Sequence, residues 1–298
     1  MSAVSGLCCG VSRNVKKEKE CKSGVRACQI ADVAAPSPSP ASYCASMDLF
    51  SLPRLGVVVP PENPTAEPEF NHLLGAGMNV YTSRFPVTPG AGLREMLETY
   101  NEVLPDLLGS FGALRLDATV VACSASHYLL EPAGDRAFCD ELSERAGSPV
   151  QSSTQAILAA CEALGVTRLT LVSPYEPWLT DTSRAFWERA GLTVDGVVLV
   201  PAETPPPPGG DPRFDPYAVT TAAILRRIRE RELPSDTALL FTGTGMGTLA
   251  ALTEVARSDP HRTLLTSNLA SAWWARRAVG ERGEAHHPLL RRLEGATV

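Results

Sequence analysis

The stretch ATVVACSAS (Ala118–Ser126) is an apolar run that empties into small polar residues, and the chain carries a second version of it, ALLFTGTG (Ala238–Gly245). Two further pairs repeat around it in the same order. RLGVVVPP (Arg54–Pro61) is matched by RLTLVSPY (Arg168–Tyr175), and PVQSST (Pro149–Thr154) by TLLTSN (Thr263–Asn268). Each match alone is weak, because a strand followed by small residues occurs in any α/β protein. Their shared order points to an internal duplication, in which Cys123 faces Gly243.

From Arg54 onward, short apolar runs alternate with amphipathic ones. Strands are expected at Leu55–Val59, Asn79–Phe85, Thr119–Ala122, Val150–Gln151, Leu169–Val172, Val194–Val200, Ala238–Thr242 and Thr263–Leu265. Helical patterns such as LREMLETYNEVLPDLLGSF (Leu93–Phe111) and TTAAILRRIRERE (Thr220–Glu232) fall between most of them. This alternation predicts parallel sheets covered by helices. The expected fold is α/β: two similar lobes, each a parallel sheet flanked by helices, related by a pseudo-two-fold with the active site in the cleft between them. Residues 47–150 plus 268–298 are assigned to the first lobe and 151–267 to the second. Ligands of open parallel sheets bind beyond the carboxyl ends of the strands, which is where the matched small-residue stretches fall.

The chain has 298 residues, 44% of them hydrophobic and 20% charged, with a formal net charge of −6, so nothing electrostatic suggests a nucleic-acid partner. No apolar run approaches the ~20 residues of a membrane span, and the N-terminal runs are too broken for a secretory signal. A cytoplasmic protein without a membrane partner is expected. Five of the eight cysteines (Cys8, Cys9, Cys21, Cys28, Cys44) lie in the first 44 residues, without the paired spacing of a zinc site. Together with PSPSPAS (Pro36–Ser42), they mark residues 1–46 as a disordered extension. Cys139 and Cys161 sit in helical patterns and are read as buried structural thiols. Cys123 differs, because it falls where a strand ends.

The glycines of FTGTGMGTL (Phe241–Leu249) invite a nucleotide reading. The dinucleotide fingerprint needs G-x-G-x-x-G and an acidic residue after the next strand. Gly243 and Gly245 fit, but the third position is Thr248, and the next strand ends in Ser267 and Asn268. The lysine of a phosphate-binding loop is missing too. A smaller anion suits the stretch better: backbone N–H groups around Ser124–Ser126 and Thr244–Gly247, with hydroxyls of Ser152, Ser153, Thr154, Thr244 and Ser267, can hold carboxylates. Two facing sites of this kind suit a small dicarboxylate substrate.

The motifs GVVVPPENPTAEPEF, VVACSAS, PVQSST, VSPYEPW, FTGTGMGTL and LLTSN, spanning about Arg54 to Ala278, resemble the aspartate/glutamate racemase superfamily, in particular maleate cis-trans isomerases and arylmalonate decarboxylases. The resemblance implies two similar α/β lobes, a site between them, no metal or organic cofactor, and a homodimer. It also implies a cysteine from each lobe in racemases and isomerases, and only the second-lobe cysteine in decarboxylases. This chain departs from all three, with Cys123 in the first position and Gly243 in the second. Two-base racemisation loses a partner, which leaves isomerisation through a covalent Cys123 adduct as the favoured reading. Decarboxylation with Cys123 as proton donor, and of opposite stereochemistry, is the alternative; a non-catalytic carboxylate-binding protein is a third. Cys123 is the expected catalytic residue, with the following helix N-terminus expected to raise its thiolate fraction. Asn63, Ser124, Tyr175, Thr244, Gly245 and Asn268 are the expected substrate-binding residues. His127 is read either as tuning the thiol or as an exposed helix residue, and Arg84 as pairing with a substrate carboxylate or with Glu67 or Glu69. Trp178, Phe186 and Trp187 are assigned to core packing. The segment ETPPPPGGDP (Glu203–Pro212) is read as a surface excursion or a lid.

Overall fold

A computed structural model of the chain describes residues 49–203 and 214–296. The extension at 1–46, with its five cysteines, and nearly all of the proline-rich segment at 203–212 lie outside the described residues.

All eight expected strands form, and they divide into two sheets. The first holds β1 (Arg54–Val59), β2 (Asn79–Arg84), β3 (Ala118–Val121) and β4 (Val150–Ser152); the second holds β5 (Arg168–Ser173), β6 (Thr193–Leu199), β7 (Ala238–Phe241) and β8 (Leu264–Thr266). Strand order is β2-β1-β3-β4 in one and β6-β5-β7-β8 in the other, and every pairing is parallel. The repeated sequence pieces are therefore β1 with β5, β3 with β7 and β4 with β8. The register agrees: Val58 pairs with Val121 in the first sheet, and Val172 with Phe241 in the second. Two residues further along stand Cys123 and Gly243, which makes them equivalent positions.

The central strands read as unbroken apolar runs because helices cover both sheet faces; β3 and β7 are buried along their whole length. After β4 and β8 the chain turns directly into α5 (Ser153–Leu164) and α9 (Ser267–Ala278). Each turn is closed by the same device. Ser152 Oγ accepts from Gln155 N–H, and Thr266 Oγ1 accepts from Leu269 N–H, both at 3.0 Å. A side-chain oxygen here satisfies a donor that has no partner inside the helix. The remaining helices are α1 (Ala66–Leu74), α2 (Leu93–Leu107), α3 (Ser124–Tyr128), α4 (Glu131–Ala146), α6 (Pro177–Arg189), α7 (Thr221–Arg229), α8 (Leu249–Ser258) and α10 (Pro288–Gly295).

The lobes meet through small residues. Helix α5 packs on α9, which also reaches α1 and β3. Ser153 Oγ bonds Ser271 Oγ at 3.1 Å, and Ser124 Oγ bonds Ser267 Oγ at 3.0 Å. Serine and alanine on both helices let the backbones approach and still pair their hydroxyls. The first sheet runs to Ser152, past the lobe boundary expected between 150 and 151, because β4 pairs with β3. Phe186 and Trp187 are core residues, whereas Trp178 is partly buried, with Arg94 over its ring and its indole N–H on Glu176. Among the described residues no helix is long and apolar enough to cross a membrane.

Candidate active site

Cys123 stands past the end of β3, immediately before α3, and its side chain is buried. Three chain ends converge on it. From β7 comes the turn Thr242–Gly247, whose Thr244 hydroxyl donates to the Ala122 carbonyl at 2.7 Å. From the segment after β1 comes Asn63, whose amide donates to Thr244 Oγ1 at 3.1 Å while its Oδ1 accepts from the N–H groups of Thr65 and Ala66. Thr65 Oγ1 donates to the Gly245 carbonyl at 2.7 Å. The third contribution is Tyr175, after β5, 8% exposed. Residues more than a hundred positions apart are thus joined by an unbroken chain of hydrogen bonds across the cleft.

The Gly-rich turn keeps its donors. Among the described residues the N–H groups of Gly243, Thr244, Gly245 and Met246 make no hydrogen bond, although Thr244 and Met246 are buried. Unspent N–H groups at a strand's carboxyl end are what a small anion needs. Of the expected substrate-binding residues, Asn63 has one amide hydrogen left, and Ser124 is paired with Ser267. Asn268 is different: its amide donates to Glu69 Oε2 at 2.8 Å and to the Thr244 carbonyl at 3.1 Å, so both hydrogens are spent, and Oδ1 is unpaired. Its observed work is to shape the turn.

The thiol departs from expectation. Burial pushes the Cys123 pKa up from 9.0, and this outweighs the Ser126 hydroxyl and the N–H groups of Ser126 and Ala125, which favour the thiolate. The helix start therefore limits the loss of thiolate character instead of producing a net gain. Four phenols feel the charge of an ionised Cys123: Tyr100, Tyr128, Tyr175 and Tyr217. Burial is the largest cause of the upward shift in each, so they stay neutral donors.

His127 is fully buried, which removes the exposed reading; its Nδ1 lies 2.7 Å from Asp135 Oδ1. Asp135 also takes Ser152, Thr154, Gln155 and the Cys139 thiol. Burial raises its pKa, but the imidazole and these hydroxyls outweigh that and hold it below 3.8. His127, Asp135 and Cys139 are the one group among the described residues whose side chains gather metal-type donor atoms. With its carboxylate already taken by protein donors, this cluster is read as a tie between α4 and α5. Cys139 and Cys161 are buried free thiols, with burial raising both to about 12. Arg84 is held by Glu67 and by the Pro60, Pro61 and Asn63 carbonyls.

Glu69, named from the sequence only as a candidate partner of Arg84, has other work. Its carboxylate, on α1, accepts from the N–H groups of Thr248 (2.6 Å) and Leu249 (3.2 Å) at the start of α8, and from Asn268. A signal existed: Ala66, Glu69, Phe70 and Leu73 all lie on the buried stripe of α1, where an unpaired carboxylate is not tolerated. Tyr100 and Tyr217 were missed for want of any local pattern. A roomy surface cavity of about 710 Å³, lined by Leu108, Phe111, Leu116, Thr119 and Arg145, lies at the opposite ends of the strands, away from Cys123.

No family model matches the chain, and no curated protein matches its sequence. Solved structures do. Maleate isomerase from Pseudomonas putida S16 aligns over 81% of this chain and 99% of its own, at 19% identity and a TM-score of 0.71. A cysteine-to-serine variant of Nocardia farcinica maleate cis-trans isomerase, with a covalently bound succinylcysteine intermediate, aligns over 81% and 99% at 21% identity and 0.68. A glycine-to-cysteine, cysteine-to-serine double variant of arylmalonate decarboxylase, in a liganded form, aligns over 81% and 98% at 23% identity and 0.66. The fold is that of the maleate isomerases and arylmalonate decarboxylase. The two-lobed α/β architecture read from the duplication is shared with them over 81% of this chain.

Proposed function

We propose that the chain is a cofactor-independent isomerase of a maleate-like cis-dicarboxylate, with Cys123 as nucleophile. The observation that carries this reading is the Asn63–Thr244–Ala122 hydrogen-bond chain, which sets a carboxamide and an N–H-rich turn from opposite lobes beside one thiol. The thiolate adds to one olefinic carbon and forms a C–S bond. The π pair moves onto the neighbouring carbon and its carboxylate, where the free N–H groups of the turn stabilise the enediolate charge. The former double bond rotates as a single bond, the pair returns, and C–S cleavage releases the trans product. One hard step becomes several easier ones. A covalent succinylcysteine in the Nocardia isomerase variant supports the same chemistry here.

A second reading is favoured by the buried thiol itself. A Cys123 that keeps its proton at neutral pH suits protonation of an enediolate formed when a malonate-type substrate loses carbon dioxide. The decarboxylase variant that gained one cysteine and lost another also supports it.

Proton NMR of the full-length chain in D₂O separates the readings. Fumarate formed from maleate, and absent with Cys123→Ser, carries the isomerase; a monocarboxylate with one deuterium on the former malonate carbon carries the decarboxylase. Ligand affinity that survives Cys123→Ser, with no turnover of either substrate by the natural chain, defeats both in favour of a binding protein.

A further inference from the structure

Gly243 occupies the second-lobe position equivalent to Cys123, with φ at +88°, and the space its side chain lacks is filled. A Cβ built there would stand 2.5 Å from Tyr175 Oη and 3.0 Å from the ring carbon that bears it. The duplication places two equivalent positions at two equivalent strand ends; one offers a thiol, the other a phenol delivered from β5.

That phenol has no work inside the protein. Tyr175 is buried, yet its Oη makes no hydrogen bond among the described residues. The hydroxyls of Thr65, Ser124, Ser126 and Thr244 find their partners elsewhere. The ring is buried while the oxygen is not sealed off, so the O–H is unspent on the protein and open to a ligand in the cleft. The ring is also held rigidly: Tyr128 meets it edge-on at 6.4 Å, and Tyr128 is itself packed against Phe186 and Trp187.

We infer that Tyr175 is a catalytic residue, the second-lobe acid and base acting across the cleft from Cys123. The inference rests on the isomerase reading. When the Cys123 sulfur bonds to one olefinic carbon, the Tyr175 O–H gives its proton to the neighbouring carbon, leaving a succinyl thioether and a phenolate. After rotation the phenolate takes a proton back from that carbon, the C=C bond re-forms, and the C–S pair returns to sulfur. Atoms and charge balance without any further reactant. Burial and the nearby ionisable groups keep the phenol protonated at rest, ready to donate.

The test follows maleate by NMR with the natural full-length chain, with Tyr175→Phe, and with 3-fluorotyrosine placed at position 175. Phenylalanine keeps the ring and its packing, and a thermal melt confirms that the variant folds. General acid–base help is worth about 10²–10⁴-fold, so Tyr175→Phe should lower kcat at least about a hundredfold and leave KM within about threefold. The solvent deuterium isotope effect on kcat should collapse with it. Should Tyr175→Phe not fold, the fluorinated chain decides, its more acidic phenol changing kcat by more than about twofold at constant KM. A hydroxyl that only grips a carboxylate would move KM instead, and that result, or an unchanged kcat, overturns the inference while leaving the isomerase standing. No fumarate from the natural chain overturns both.

Discussion

The Glu69 carboxylate of α1 sits over the first turn of α8, 2.6 Å from the Thr248 N–H, so one lobe supplies the helix cap of the other. Thr248 has no side-chain cap of its own. Glu69→Ala should strand the Thr248, Leu249 and Asn268 donors and cost about 2–4 kcal/mol. Urea unfolding measures it, and a loss below about 1 kcal/mol would show that the tie between α1 and α8 is dispensable.

The same carboxylate carries a pH signature. Burial raises its pKa from 4.5, outweighing the Asn268, Thr248 and Leu249 hydrogen bonds that favour the charge. Above pH 4.5 the unfolded chain releases this proton while the folded chain retains it, so stability falls as pH rises towards the folded pKa and is level beyond. Glu69→Gln should remove that slope. Parallel melting curves across this window for both proteins would refute the assignment.

For Cys123 the raised pKa predicts slow alkylation at neutral pH. Labelling by iodoacetamide, followed by peptide mass spectrometry, should accelerate close to tenfold per pH unit from pH 7 to 9, since only the thiolate reacts. A rate already level at pH 7 would mean that the helix start, and not burial, controls this thiol.

Asn63 separates stability from binding. Asn63→Asp keeps the oxygen that accepts from Thr65 and Ala66 but loses the donor to Thr244 and adds a charge. Its melting point should stay near that of the natural protein while KM for a dicarboxylate rises tenfold or more. Asn63→Ala loses the cap as well, at a further cost of about 1–2 kcal/mol.

Two glycines of one turn should respond differently. Gly243→Ala places a Cβ against Tyr175 at a left-handed φ and should destabilise by about 1–3 kcal/mol. Gly247→Ala meets nothing within 4 Å and should be neutral within about 1 kcal/mol. Equal effects in denaturant titrations would contradict the geometry at Gly243.

The fold was legible because duplication writes each signal twice: RLGVVV and RLTLVS predict the same strand, and both form in the same register. Cys123 was legible because a strand end is a local feature. The direction of its pKa was not, since desolvation depends on chain from both lobes closing over it. The tie from Asn268 to Glu69 was not legible, because the two stand 199 positions apart in sequence. His127 was open to two readings until Asp135 was seen beside it, and Tyr217 reaches Gly245 from a segment with no periodicity to follow.

Cys123 and Gly243 occupy equivalent places with unlike chemistry, so the cleft lacks the two-fold evenness that its duplicated walls would give it. On the reading proposed above, a flat molecule held there would meet sulfur from one side and a phenol from the other. Turning it over would then not be an indifferent act: such a cleft would tell the two faces of a planar carbon apart without any chirality in the molecule itself.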